Sequence, residues 1–208
     1  MRVRFLGAVA FVTTVVTPSL AIAYDEAVDG DLSGMAASPT PVTFVLGTNV
    51  VAGRVTSSVP ADTRDYLTFT IPAGRQLTAL RLVSWGGGNT GFHAINAGAT
   101  SFEPSTATDN NFLGGDHILP NAAPAEVLVE LLDGDTAGVG TTAPLGPGTY
   151  SYVIQQTGPQ LSDYRLEFVV SAAPAAAVPA SDHKSLIALT LTLLAVMLIG
   201  RRRSRPGA

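Results

Sequence analysis

Through the middle of this chain apolar and polar residues alternate with a period of two, which is the spacing of strands rather than helices. Leu67, Phe69 and Ile71 alternate with Tyr66, Thr68 and Thr70. Tyr150, Tyr152 and Ile154 alternate with Thr149, Ser151 and Val153, and Tyr164, Leu166 and Phe168 with Asp163, Arg165 and Glu167. Each set predicts a strand with one buried and one wet face. Further strands are predicted over residues 42–46, 50–55, 77–84, 92–96 and 126–132, with Pro72-Ala73-Gly74 and Gly146-Pro147-Gly148 as turns between strands. No stretch between them reads as an amphipathic helix. The pattern predicts an all-β fold, an antiparallel β-sandwich with jelly-roll-like character, over residues 42–171.

The pattern changes at both ends. Arg2 and Arg4 precede an apolar run over residues 5–16, and Ala21-Ile22-Ala23 supplies the small-x-small pattern that a signal peptidase reads. Residues 1–23 are therefore expected to be a signal peptide, cut after Ala23 to leave Tyr24 as the new N-terminus; an uncleaved signal anchor is the alternative. Residues 24–41 form an acidic lead-in, and residues 172–180 an Ala/Pro-rich spacer. Residues 185–200 are almost wholly apolar and are followed by Arg201, Arg202, Arg203 and Arg205, which predicts a short membrane helix with its basic end in the cytoplasm. Everything between the two apolar segments is then expected outside the cytoplasmic membrane.

The tail over residues 181–208, introduced by Val178-Pro179, resembles the C-terminal sorting signals of the PEP-CTERM and IPTL-CTERM kind found in Gram-negative bacteria. That resemblance implies a membrane-embedded exosortase or archaeosortase-like enzyme that recognises the tail and removes it, with the membrane held through the helix before processing. The sequence departs from the Pro-Glu-Pro form, carrying Val178-Pro179-Ala180-Ser181-Asp182 in its place. A second resemblance lies in the ectodomain. Residues 65–74 are similar to the Asp-Tyr-Phe-Thr-Phe-Thr-Val-Pro-Ala-Gly strand and turn of bacterial pre-peptidase C-terminal-like sandwiches. The segments starting at Gly148 and Asp163 resemble the closing hairpin of that group. These motifs describe strand ends and turns and imply a sandwich without implying a site.

Composition sharpens the division. The 208 residues are 46% hydrophobic and 13% charged, with a mean hydropathy of +0.31 and a formal charge of −4. The apolar excess sits in the two end segments, whereas residues 24–180 hold 15 acids against five arginines, a net of −10. Such acidity excludes a nucleic-acid footprint and favours cations as small partners. The absence of cysteine excludes disulfides, zinc-thiolate sites and thiol nucleophiles.

Little in the ectodomain points to catalysis. Only His93 and His117 are available as imidazole bases, and no Gly-x-Ser-x-Gly elbow occurs. Glu126 and Glu130 on one strand would stand about 13 Å apart, beyond the roughly 5–9.5 Å that glycoside hydrolysis uses. Gly86-Gly87-Gly88 lacks the Lys and Ser/Thr of a phosphate loop and reads as a mobile turn. Calcium is the ligand best suited to the motifs. Asp29-Gly30-Asp31 and Asp133-Gly134-Asp135 both begin like calcium loops, with alternate oxygen side chains and a turn-permitting Gly. Thr40 and Pro144 stand where an EF-hand has its closing Glu, which rules that motif out. The four aspartates are the candidate structural-calcium ligands, against the plainer alternative of solvated Asp-Gly turns. Asp109-Asn110-Asn111 is a lesser candidate. Trp85, beside the glycine run, is a candidate sugar platform and equally a natural core aromatic.

Together these features predict an exported, non-enzymatic cell-surface or extracellular-matrix protein sorted through an exosortase-type system, with exopolysaccharide as a partner. A glycan-binding module is the alternative, and an extracellular hydrolase the second.

Overall fold

The computed structural model describes residues 20–58, 61–104, 112–156 and 158–175. The expected signal-peptide residues before Leu20, the Asp109-Asn110-Asn111 run, and the expected sorting-signal residues Val178, Pro179, Arg201, Arg202 and Arg203 with the expected membrane helix lie outside the described residues. Among the described residues no helix is long and apolar enough to cross a membrane. One compact unit ends at Ala173, and a second comprises residues 174–208.

The described residues of the first unit form ten strands and two short helices in the order β1 (Leu20–Asp25), α1 (Glu26–Asp29), β2 (Thr40–Pro41), β3 (Gly47–Val55), β4 (Arg64–Ile71), β5 (Arg75–Trp85), β6 (Gly91–Ala97), β7 (Gly114–Ile118), β8 (Ala125–Glu126), α2 (Leu128–Leu132), β9 (Gly148–Gln156) and β10 (Ser162–Ala172). They form two five-stranded sheets, ordered β1-β3-β10-β5-β8 and β2-β4-β9-β6-β7. The sheets share one core, because the alternating residues read from the sequence turn inward from both sides. Leu67, Phe69 and Ile71 of β4 and Tyr152 and Ile154 of β9 meet Val51 of β3, Leu80 of β5, and Leu166 and Phe168 of β10. Phe168 lies 4.8 Å from Phe44 and 5.5 Å from both Phe69 and Tyr152, ring centroid to ring centroid, so an aromatic cluster fills the centre.

The sheets are mixed rather than wholly antiparallel. β1 adds to β3 and β2 adds to β4 in parallel, whereas every other named pair is antiparallel. Parallel pairing needs a crossover connection. The lead-in provides it by leaving the first sheet after β1, touching the second as β2, and returning as β3.

Two predicted elements differ, and one strand was not predicted. Of residues 126–132 only Glu126 lies in a strand: Val127, Leu128, Leu131 and Leu132 are buried, whereas Val129 is 66% exposed, which is helical spacing. Glu126 begins the turn, its Oε1 accepting from the backbone N–H groups of Leu128 and Leu80. Residues 42–46 keep Val42 and Phe44 buried but form no ladder, because Asn49 bonds the backbone of Val45 through both its Oδ1 and its Nδ2. The unforeseen β7 begins with two glycines. At Gly115 a Cβ would stand 2.8 Å from the Phe92 ring, so the neighbouring strand approaches only where no side chain intervenes.

β1 carries the residues expected at the leader cleavage site. Ala21, Ala23 and Tyr24 all lie in it, and its register with β3 breaks between Ile22 and Tyr24. The bond after Ala23 thus separates a segment paired with Thr48 to Val50 from one paired with Val51 and Ala52.

Candidate functional site

One end of the sandwich collects carboxyl groups from three separate stretches of chain. Glu26 opens α1, which is begun by Asp25: the Asp25 side chain accepts from Ala27 N–H, and Asp29 Oδ2 accepts from Asp25 N–H. Gly30, with φ of +96°, then turns the chain so that Asp31 comes back over the sheet while the buried Leu32 anchors the loop. Asp62 arrives from the connection between β3 and β4, where its backbone pairs with that of Thr56. Ligand oxygens of Glu26, Asp31 and Asp62 all lie within 4.8 Å of one another.

Backbone donors hold Glu26 in place. Its Oε1 accepts from Leu32 N–H at 3.1 Å and its Oε2 from Arg54 N–H at 2.9 Å. Room for this carboxyl exists because position 53 is glycine: a Cβ there would stand 2.7 Å from Glu26 Cδ and 2.5 Å from the Tyr164 hydroxyl. Beneath lies a fourth acid. Asp65 shares the inward parity of Leu67, Phe69 and Ile71 on β4, is wholly buried, and accepts from the Tyr164 hydroxyl of β10 at 2.8 Å on Oδ2. Its Oδ1 has no hydrogen-bond partner among the described residues.

The electrostatics follow from burial and like charge. Burial first, then the charges of Asp31 and Glu26, push the Asp62 carboxyl up to about 7, and it shares a hydrogen bond with Asp31. Burial, then Glu26 and Asp62, push Asp65 up to about 10, so it is neutral at pH 7. Glu26 is raised by burial, against the two backbone donors. A cavity of about 650 Å³ opens beside the cluster, lined by Glu26, Asp31 and Asp62 together with Arg54, Thr56 and Ser58 among others. Such an arrangement of oxygens suits a hard cation or shared protons.

Of the four aspartates singled out in the sequence, only Asp31 joins this cluster. Asp29 is turned to the start of α1 instead. Asp133 and Asp135 form an exposed turn in which Asp133 Oδ1 accepts from Asp135 N–H, and neither belongs to a three-ligand group among the described residues. Trp85 is 9% exposed, its indole packed in the core and its Nε1 donating to Asn89 O, so it offers no open face to a sugar. His93 is 2% exposed, with Nδ1 2.8 Å from the Tyr152 hydroxyl, and burial lowers it to about 4.

Glu26, Asp62 and Asp65 were not singled out by motif. For Asp65 a signal was present, since a carboxylate occupies an inward position of a strand otherwise filled by Leu, Phe and Ile. For Glu26 and Asp62 the proximity is purely tertiary.

Comparison with known proteins finds no match, either to a protein family or to a curated protein.

Proposed function

We propose that this chain is an exported, non-enzymatic cell-surface or extracellular-matrix protein whose jelly-roll-like sandwich is completed by a calcium-class cation at Glu26, Asp31 and Asp62. The observation that carries this is the convergence of those three carboxylates from the lead-in and the β3–β4 connection. Like charges so close repel unless a proton or a cation neutralises them. An oxygen-only donor set selects a hard cation, and extracellular modules bind calcium at about 10⁻⁴ to 10⁻³ M, which suits the outside of a cell. Asp31, Glu26 and Asp62 would supply the side-chain ligands, tying the lead-in to the sandwich.

The ends of the chain support export. Signal peptidase removes the leader after Ala23, and an exosortase-type enzyme reads the Val178-Pro179 tail with its terminal arginines, releasing the ectodomain to an exopolysaccharide-containing surface layer.

Thermal melting of the full chain in calcium and in chelator tests the cation. A midpoint raised by roughly 5 to 10 °C in calcium at a hundredfold excess over Kd is expected. An unchanged midpoint would overturn it. Intact-mass measurement of the native product tests the processing; a species still carrying residues 186–205 would overturn removal of the tail.

A further inference from the structure

A cation at this end of the sandwich would leave coordination positions open. Calcium takes about six to eight oxygens. Only three carboxylates are offered, and both oxygens of Glu26 already accept backbone N–H groups. A second sign of a ligand lies below them. The wholly buried Asp65 keeps Oδ1 without a hydrogen-bond partner among the described residues, and the charges bearing on that carboxyl are Glu26, Asp62 and Asp31. Buried polar oxygens are normally satisfied, so this one is an exception at the acidic end of the sandwich.

A cavity adjoins the three carboxylates. At about 650 Å³ it is sized for a small ligand. Arg54 lines it and forms no ion pair among the described residues. A guanidinium takes a carboxylate through two parallel N–H donors, and a hard cation takes the same group's oxygen. Pro159 and Leu161 add apolar carbon to the wall, which suits the C–H face of a pyranose ring, and Thr56 and Ser58 add hydroxyl oxygens for its hydroxyls. Three carboxylates, a dication and Arg54 sum to neutrality, so an approaching anion is not repelled.

We infer that the cavity binds a sugar acid, whose carboxylate bridges the guanidinium of Arg54 and the calcium-class cation held by Glu26, Asp31 and Asp62. This role rests on the cation proposed above. It places anionic polysaccharide at the lead-in end of the sandwich and leaves Trp85 out.

Titration calorimetry on the full chain separates the two ideas. Calcium chloride is titrated alone, followed by trigalacturonate in saturating calcium and again in chelator. Maltotriose and triglutamate serve as neutral and peptide controls. The expected result is calcium binding, trigalacturonate binding only in calcium, and no binding of either control. In Arg54→Gln, trigalacturonate in saturating calcium should bind at least about tenfold more weakly. Calcium binding without trigalacturonate binding would overturn the sugar-acid site while sparing the cation. Absence of calcium binding would overturn both. Equal binding of either control, or indifference to Arg54→Gln, would overturn the sugar-acid site.

Discussion

The hydroxyl of Tyr164 on one sheet donates to Oδ2 of Asp65 on the other at 2.8 Å, joining the two layers where the apolar core gives way to the acidic end. Asp65 is held neutral there, raised to about 10 from an ordinary 3.8. The native state therefore binds a proton that the unfolded chain releases above pH 3.8. This stabilisation is complete below that pH and is lost as pH rises through about 10. Asp65→Asn keeps an acceptor for Tyr164 and removes the titration. In chelator at pH 7 it should raise stability by roughly 1 to 4 kcal/mol, measured by denaturant unfolding, and flatten the pH slope.

His93 gives the opposite slope. Its imidazole is buried neutral, lowered by burial to about 4, whereas the unfolded chain takes up a proton below 6.5. The unfolded state binds more protons between those values, so stability falls as pH drops from about 6.5 to 4, by roughly 3 kcal/mol. His93→Asn retains a polar partner for Tyr152 and should remove that slope. Unfolding midpoints measured across pH 4 to 7 check it.

Gly53 makes space for both Tyr164 and Glu26. Gly53→Ala inserts a methyl where the Tyr164 hydroxyl and Glu26 Cδ stand at 2.5 and 2.7 Å, so something must shift. A loss of about 1 to 3 kcal/mol is expected, together with weaker calcium binding by calorimetry, since Glu26 is displaced. Unaltered stability and calcium affinity would contradict this packing.

Asn49 is wholly buried and uses both ends of its amide, bonding Val45, Gly47 and the Phe168 carbonyl on the neighbouring strand. Asn49→Ala leaves several backbone groups without partners. A loss of roughly 2 to 4 kcal/mol is expected by denaturant unfolding.

Strands with strict alternation are legible in the sequence: β4, β9 and β10 lie where Leu67, Tyr152 and Leu166 and their neighbours predict, although Tyr66, Ser151 and Val153, on faces expected to be wet, are buried. What escaped had no periodic signature. Five residues of α2 are too few to separate helical from strand spacing, and the Gly114-Gly115 start of β7 has no side chains to alternate. Parallel pairing of β1 and β2 depends on the path of the lead-in, not on any local pattern. At the acidic end, Asp31 was visible through its Asp-Gly-Asp motif. Its partners Glu26 and Asp62 lie five and 31 positions away in sequence, and only folding brings them together.

The route of the lead-in also bears on how this molecule tolerates crowding. Sheet margins with long rows of free N–H and C=O groups recruit neighbouring chains and seed aggregates. Here two of the four outermost strands, β2 beside β4 and β8 beside β5, are only two residues long. Those margins offer little template for a foreign strand, a property that favours a domain displayed at high density.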